Sequence, residues 1–256
     1  MIIKNKTVLI TGATGDLGYE FVKGFSQMGY NILFITRDEI KSKKLIKYAK
    51  VNGCKEIHGL IIDLEHDNAV MKIIKIIKKL KMYPDFLINN ARDKKNLMVN
   101  KEGLVEKNNW ISEFKINVLI SYELSMKLAL LKNTNLKKII NISSIYGVVA
   151  PNINIYKNPS KESSINYGTV KASLIHLTKE LAVRLANKRI QVNAISFGGI
   201  KSNQSREFQK RYSDLSPQRK MIPKNEIFGI LNFLVSDESS NINGQNIIVD
   251  GGWTIW

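Results

Sequence analysis

Short apolar runs alternate with longer amphipathic stretches along almost the whole chain. The runs are rich in β-branched residues and predict seven strands, at 8–10, 31–35, 60–62, 86–88, 138–142, 190–195 and 246–250. Between them, apolar residues recur at helical spacing and predict helices over 17–28, 38–52, 67–82, 110–132, 164–187 and 224–236. Residues 145–163 and 201–223 are polar and carry turn residues, which predicts loops or lids.

The alternation of strands and helices predicts an α/β fold over residues 1–256. Strands that are buried on both faces read as continuous apolar runs, as these do, and this is typical of a parallel sheet. The helices between such strands must then cover both faces of the sheet. We therefore predict a single doubly wound Rossmann domain with a seven-stranded, mainly parallel sheet and helices on both faces.

The composition narrows the classes of partner. A formal net charge of +17 raises the possibility of nucleic-acid binding, but only 7 basic residues are arginines. Arginine is the residue favoured for contacts with base edges and phosphates, and the lysines are spread over the whole chain. We expect a lysine-rich surface that attracts phosphorylated small molecules, and no nucleic-acid partner.

Three further features predict a cytoplasmic protein. No apolar run reaches the roughly 18 residues of a membrane span, so we expect no membrane association. The start of the chain, Met1–Lys6, lacks the apolar stretch of a signal peptide. A single cysteine, Cys54, excludes an internal disulfide framework. We predict no metal site.

The first strand leads into Thr11–Gly18, which reads T-G-A-T-G-D-L-G and opens the first helix. Glycines at such a junction allow a tight turn, close approach of the backbone to a pyrophosphate, and close packing of the helix on the strand. The helix N-terminus adds partial positive charge. An ordinary tight turn is the alternative, but the context predicts a dinucleotide site; Asp16 must then point away from the phosphates. The predicted contacts are Gly12, Thr14, Gly15, Leu17 and Gly18.

The second strand ends in Thr36-Arg37-Asp38. An acid at this point binds the ribose hydroxyls of NAD, whereas a basic residue accommodates the 2′-phosphate of NADP. Arg37 can form a bidentate contact with a phosphate, which favours NADP over NAD. In the alternative interpretation Asp38 binds the ribose and Arg37 lies on the surface.

Two Tyr-x-x-x-Lys pairs are candidates for proton chemistry, because residues four apart share a helix face. Tyr19 and Lys23 lie inside the first helix and are expected to be an exposed pair. Tyr167 and Lys171 open the long helix after the fifth strand, where a lysine cation favours the phenolate of a neighbouring tyrosine. Ser144, at the end of that strand, can bind a substrate oxygen; Ser143 is the neighbouring alternative.

Together these motifs resemble the short-chain dehydrogenase/reductase family. The glycine spacing fits its extended branch, but the later motifs resemble the classical branch and favour it. They are Asn89-Asn90-Ala91-Arg92, with arginine in place of a glycine; the Ser144/Tyr167/Lys171 set; the stretch 191–200, with Phe197 in place of a proline; and Val249-Asp250-Gly251-Gly252.

The resemblance implies site residues beyond those that the motifs alone indicate. Ser144, Tyr167 and Lys171 would be catalytic, with Asn117 supporting a water relay to the lysine. Further cofactor contacts would come from Asp63, Leu64, Asn90, Ala91, Tyr167, Lys171 and Ile200. Arg92, Ser144 and Tyr167 would contact the substrate, although Arg92 can equally pair with Asp93 or the cofactor.

The resemblance also extends to a subgroup. Residues 143–152, with the Asn-Asn-Ala-Arg segment, are similar to the flagellin modification protein A group. This implies a sugar, amino sugar or sugar phosphate substrate in the synthesis of nonulosonic or legionaminic acids for flagellin glycans. Tyr167 follows Ser144 by 23 positions, farther than in most classical members. The additional residues, 149–163, are expected to border the substrate pocket.

The leading hypothesis is thus an NADP-preferring oxidoreductase that transfers a hydride between nicotinamide and a carbonyl or hydroxyl carbon. One alternative is a sugar epimerase or dehydratase that uses its cofactor transiently. Another is a non-catalytic cofactor-binding regulator. Family members usually associate, so a homodimer or homotetramer is expected, with the Trp253–Trp256 tail near an interface.

Overall fold

The apolar runs form the strands of one sheet in a computed structural model of the chain, which describes residues 6–255. Each central strand is buried along its whole length, as the continuous runs predicted. Residues 1–5, part of the segment expected to lack a signal peptide, and Trp256 lie outside the described residues. The strands are β1 (Thr7–Thr11), β2 (Asn31–Thr36), β3 (Ile57–Ile61), β4 (Phe86–Asn89), β5 (Lys138–Ser144), β6 (Gln191–Phe197) and β7 (Asn246–Val249).

Within residues 6–255 the sheet has seven strands in the order β3-β2-β1-β4-β5-β6-β7, and every pairing between these strands is parallel. The predicted doubly wound α/β fold is confirmed, and the sheet is wholly rather than mainly parallel. The direction of winding reverses between β1 and β4. In open sheets of this kind, ligands bind outside the carboxyl ends of the strands at that reversal.

Helices cover both faces of the sheet. They are α1 (Asp16–Gln27), α2 (Glu39–Val51), α3 (Ala69–Leu80), α4 (Lys107–Phe114), α5 (Ile120–Ala129), α6 (Pro159–Glu162), α7 (Ile165–Leu185), α8 (Arg206–Leu215) and α9 (Ile227–Val235). Alternate residues of β1 point to opposite faces: Val8 and Ile10 point into one apolar cluster with α1, α2 and α9, and Leu9 points into the other with α3, α5 and α7. No helix among residues 6–255 combines the length and apolarity needed to cross a bilayer.

The helix predicted over 110–132 is interrupted. A π-helical turn at Lys115–Leu119 separates α4 from α5. Such turns hold one surplus residue in an otherwise regular helix and are frequent at functional sites. Asn117 lies in the middle of this turn and is buried.

The prediction of a loop over 201–223 was wrong for its central part, which forms α8. Ser205 caps this helix by accepting a hydrogen bond from the backbone N–H of Phe208, and Phe208 and Tyr212 lie one turn apart on its apolar side. Trp253 stacks on Tyr212, with ring centroids 4.2 Å apart. Trp253 is thus buried within its own chain. The expectation that the tail lies near an interface stays a prediction.

The stretch 145–163 holds only short helical turns, including α6. It packs on α8 nevertheless: Ile155 is fully buried, and its carbonyl accepts a 2.7 Å hydrogen bond from Nε of Arg211. The phenolic oxygens of Tyr146 and Tyr156 are 2.8 Å apart. The insertion therefore forms a fixed wall in this structure.

Candidate active site

A cleft of about 960 Å³ lies at the carboxyl ends of β1 and β4, where the winding of the sheet reverses. Most of the residues that the sequence singled out line it, although they are spread over more than 180 positions. They are Gly12, Thr14, Gly15, Leu17, Arg37, Asp63, Leu64, Asn90, Ala91, Arg92, Ser144, Tyr167, Lys171 and Ile200. Gly18 and Asn117 lie behind its surface.

The turn after β1 can be made only by small residues. Gly12 has a φ of +66°, and a Cβ atom on it would lie 2.7 Å from the Cα of Ala91. A Cβ on Gly18 would lie 2.6 Å from the Cα of Ala13, so α1 approaches the turn closely. The side-chain amide of Asn90 donates to the carbonyls of Thr11 and Gly12 and locks the turn against β4.

The N-terminus of α1 opens into this cleft. Its N-cap residue is Gly15, and no side chain caps the first turn, so the first backbone N–H groups are available to an anion. Asp16 does not occupy that position, because its carboxylate accepts from Ser202 at 3.4 Å and from Lys224 at 3.3 Å. Although burial acts to raise it, Lys224 and Lys94 hold the pKa of Asp16 below its ordinary value.

Arg37 reaches the cleft from the end of β2. Its guanidinium lies 2.5 Å from a carboxylate oxygen of Asp93, and half of its side chain is exposed. Asp38 also lines the cleft and at the same time caps α2, because its Oδ1 accepts a 2.8 Å hydrogen bond from the backbone N–H of Lys41. At the position where an NAD-selecting acid would stand, the hydroxyl of Thr36 pairs with that of Thr14 at 2.7 Å.

Lys171 is buried at the base of the cleft. Its Nζ donates 2.8 Å hydrogen bonds to Oδ1 of Asn117 and to the carbonyl of Ile142. An ammonium has three donors, so one remains for the cleft. Burial, assisted by the positive charge of Arg92, lowers the pKa of Lys171 to about 7, and Glu113 acts against this fall.

Tyr167 precedes Lys171 by one helical turn, and three side chains lie against its ring. The guanidinium carbon of Arg92 lies 5.3 Å from the ring centroid, and Nζ of Lys171 lies 5.8 Å from it. The ring of Tyr146 packs edge-on at 6.4 Å. Tyr146 also hydrogen-bonds to Tyr156 of the insertion, so residues 149–163 connect to Tyr167 through Tyr146, and none of them lines the cleft itself.

The two adjacent serines at the end of β5 have different partners. The Ser143 hydroxyl donates a 3.0 Å hydrogen bond to the carbonyl of Lys171 and thus ties β5 to α7. The Ser144 hydroxyl accepts from the backbone N–H of Tyr146 at 3.2 Å, which leaves its own proton to donate into the cleft.

The other Tyr-x-x-x-Lys pair lies apart from this site. Tyr19 packs against Tyr48 on the surface, and Lys23 pairs with Glu20. No cluster of three histidine, cysteine, aspartate or glutamate side chains among residues 6–255 is placed to hold a metal ion.

Two acidic residues of the site were missed by the sequence reasoning. Asp93 binds Arg37 across 56 positions of sequence, and no local signal marks that pairing. Glu113 is fully buried and accepts a 3.0 Å hydrogen bond from the side-chain amide of Asn117. A signal for Glu113 existed: it is an acid one helical turn before Asn117, on the helix side that carries the predicted relay.

The chain matches a family model described as Enoyl-(Acyl carrier protein) reductase over residues 12–254. It is 32% identical over 262 residues to a 3-oxoacyl-[acyl-carrier-protein] reductase FabG of Buchnera aphidicola, with 98% of each chain covered. It is also 41% identical over 122 residues to the Post-translational flagellin modification protein A of Campylobacter coli, which covers 48% of each.

Solved structures have the same fold. A short chain dehydrogenase from Leptospira borgpetersenii with bound NAD+ has a TM-score of 0.84 and 28% identity, and the match covers 99% of this chain and 97% of that one. An NAD+-bound xylitol dehydrogenase has a TM-score of 0.86 at 23% identity, with 98% and 100% covered.

Proposed function

This chain belongs to the short-chain dehydrogenase/reductase family and is an NAD(P)-dependent oxidoreductase, and on that premise we propose its cofactor preference, catalytic residues and substrate class. In the proposal it prefers NADP and acts on a carbonyl or hydroxyl carbon of a sugar, amino sugar or sugar phosphate. The single observation that carries the proposal is the buried Lys171, bonded to Asn117 and one helical turn from Tyr167 at the base of the cleft.

The cofactor supplies or accepts the hydride, and the residues of the chain handle the proton. Ser144 donates a hydrogen bond from its hydroxyl to the substrate oxygen, which orients that oxygen, and keeps its own proton. Tyr167 donates its phenolic proton to that oxygen as the carbonyl is reduced, or takes the proton when the alcohol is oxidised. Lys171, with one donor free, stabilises the resulting phenolate. Asn117 holds Lys171 in position.

The preference for NADP is supported by the end of β2. Thr36 offers no carboxylate to a ribose, and the Asp38 side chain is engaged as a helix cap. Arg37 and Lys41 both line that side of the cleft, and the fork of donors on Arg37 suits a phosphate. In this proposal a 2′-phosphate shares the guanidinium with Asp93.

A sugar substrate is supported by the similarity to the flagellin modification protein, which covers half of the chain. Arg92 lies beside Tyr167 and suits a phosphate or carboxylate group on such a substrate. Tyr146 packs against the same ring and is bonded to Tyr156 of the insertion, so in this proposal the insertion acts on the choice of substrate through Tyr146.

A second candidate is the reduction of a 3-oxoacyl group on acyl carrier protein. It is favoured by the similarity to the Buchnera reductase, which extends over 98% of both chains. The relative that supports a sugar substrate has the higher sequence identity over a shorter stretch, and the relative that supports an acyl substrate matches almost the whole chain.

One assay separates these candidates. The purified chain is mixed with NADPH or NADH and with panels of keto sugars, sugar phosphates, nucleotide-activated amino sugars and acetoacetyl carrier protein, and absorbance is followed at 340 nm. Turnover with a sugar panel supports the proposal, and turnover confined to the acyl substrate replaces it with the second candidate. Product formed without net cofactor consumption indicates an epimerase or dehydratase.

The matched control is Tyr167→Phe, which should abolish turnover and leave cofactor affinity nearly unchanged. Full activity in this variant would contradict the assignment of the proton donor. Cofactor binding without turnover on any panel would favour a regulator.

We further propose a homodimer or homotetramer. The outer side of the π turn and α5 exposes Leu119, Tyr122 and Leu130, an apolar surface that a second copy would cover. Sedimentation analysis of the purified chain tests this, and a monomer at micromolar concentration would contradict it.

A further inference from the structure

Glu113 is a buried acid that the proposed mechanism does not use. It lies in the last turn of α4 and is 0% exposed. One carboxylate oxygen, Oε1, accepts from Asn117. Among residues 6–255 no donor makes a well-formed hydrogen bond to the other, Oε2, although the amide of Asn96 lies near enough to favour the carboxylate. Burying an acid in this way is costly unless a nearby cation compensates for it.

Burial raises the pKa of Glu113 above its ordinary value, and two nearby cations act against that rise. They are Lys171, on α7, and Arg92, on the segment after β4. The neutral amides of Asn117 and Asn96 act in the same direction as the cations. The two lysines of the adjoining turn are engaged elsewhere: Lys94 pairs with Asp16, and Lys95 with Glu65 and Asp93.

The side-chain amide of Asn117 lies between Glu113 and Lys171, and its hydrogen bonds allow only one orientation of its oxygen and nitrogen. Its Nδ2 donates to Oε1 of Glu113 and also to the backbone carbonyl of Glu113 at 2.9 Å. A carbonyl can only accept, so the orientation of the amide is fixed. Oδ1 must then face Lys171, where it accepts at 2.8 Å. The amide thus presents a donor to the carboxylate and an acceptor to the ammonium.

We propose that Glu113 is a positioning residue for the catalytic pair: as the buried counter-charge of Lys171, it keeps a proton on the lysine while Tyr167 becomes a phenolate. This inference rests on the proposed function of Tyr167 and Lys171. It assigns a role to a residue outside the predicted set of Asn117, Ser144, Tyr167 and Lys171.

The chemical consequence follows from counting protons. A phenolate beside an ammonium holds the same number of protons as a phenol beside a neutral amine, so the surroundings decide which form is populated. Arg92 disfavours the ammonium, and Glu113 favours it. Without the carboxylate, Lys171 loses its proton first, and Tyr167 must ionise beside a neutral amine.

The test is a titration that needs no substrate. The full chain is labelled with ¹³Cζ-tyrosine, and the Tyr167 signal is assigned by its loss in Tyr167→Phe. In Glu113→Gln, we expect the pH midpoint of phenolate formation at Tyr167 to rise by about one unit or more. A neighbouring charge usually changes a pKa by that amount. Glu113→Asp keeps the charge, so its midpoint should stay close to the wild-type value.

The matched control is Glu123→Gln, which makes the same charge change at an exposed position on α5 and should leave the midpoint unchanged. An unchanged midpoint in folded Glu113→Gln overturns the proposal. If Glu113→Gln does not fold, the titration uses Glu113→Met, which also removes the charge but leaves no buried amide unpaired; an unchanged midpoint in that variant overturns the proposal.

Kinetics provide a second readout once a substrate is known. Near neutral pH, kcat for alcohol oxidation should fall about tenfold in Glu113→Gln for each unit of the shift, with the KM for the cofactor unchanged. If the midpoint shifts but the chain transfers no hydride to any substrate, the proposed function is contradicted and the role of Glu113 as a counter-charge is retained. If Glu113→Gln turns over normally and its midpoint does not shift, the proposed function is retained and the role of Glu113 is contradicted.

Discussion

Nζ of Lys171 donates a 2.8 Å hydrogen bond to Oδ1 of Asn117 from a fully buried position at the base of the cleft. The two residues are 54 positions apart and come from α7 and the π turn. A buried amine held in this way is costly to protonate, so folding and protonation of Lys171 are linked.

This linkage predicts a pH dependence of stability. Burial lowers the pKa of Lys171 to about 7 in the folded chain, whereas an unfolded lysine titrates near ~10.4. Between these values the unfolded state binds more protons, so this residue makes the free energy of unfolding rise with pH from about 7 to ~10.4.

The prediction is checked by chemical denaturation of the wild type and of Lys171→Met/Glu113→Gln at several pH values. The double variant removes both titrating partners and serves as the reference. The wild type should gain stability relative to it as the pH increases through that window. A difference that stays constant or narrows would show that Lys171 titrates normally.

The two serines at the end of β5 should respond in opposite ways to the same substitution. Ser144→Ala removes the donor to the substrate oxygen, and kcat should fall by about 10²-fold with little change in thermal stability. Ser143→Ala leaves the carbonyl of Lys171 without its buried donor, and stability should fall by about 1–3 kcal/mol.

Steady-state kinetics and thermal melting of both variants check this contrast. Each serves as the control for the other, because the chemical change and the strand are the same. A loss of turnover in Ser143→Ala that exceeds the loss in Ser144→Ala would reverse the assignment.

Arg37→Gln should change the choice of cofactor. The substitution removes the guanidinium that is proposed to bind the 2′-phosphate, and the ratio of kcat/KM for NADPH to that for NADH should fall by about tenfold or more. Lys43→Gln, which removes a positive charge paired with Glu39 on the surface, is the control. An unchanged ratio in Arg37→Gln would favour a chain without NADP preference.

Gly12→Ala should prevent cofactor binding, because the added methyl group would meet the backbone of Ala91 and the residue has a φ of +66°. Gly29→Ala is a matched control with a φ of +73° and no atom within 4 Å of the added group. Gly29→Ala should cost only about 1–2 kcal/mol of stability. Isothermal titration with NADP(H) compares the two, and normal binding by Gly12→Ala would contradict the assigned turn.

The parts of the fold that local sequence determines were predicted well. The strands are continuous apolar runs, and the glycine turn is a contiguous motif, so β1, the turn and α1 follow from their own residues. The prediction of a loop over α8 failed because that helix is strongly polar, and only Phe208 and Tyr212 mark its apolar side.

The parts that depend on distant pairing were not predicted. Arg37 was interpreted as a phosphate ligand. Its ion pair with Asp93 forms because the fold brings the end of β2 close to the segment after β4, which the sequence around either residue does not indicate. The burial of Glu113 depends on the packing of α4 against α7 and on the π turn, and neither is visible in a helical pattern of apolar residues.

The surplus residue in the π turn lets α4 and α5 keep the phase of one continuous helix. A π turn takes up one extra residue without adding a full helical step, so removal of one residue from Lys115–Leu119 would close the turn to regular α-helix. Leu124 would then stay buried and Tyr122 exposed. A deletion of Lys115 or Ile116 would instead shorten the spacing between Glu113 and Asn117 from four residues to three, so a single-codon deletion there would alter the site while sparing the packing of α5.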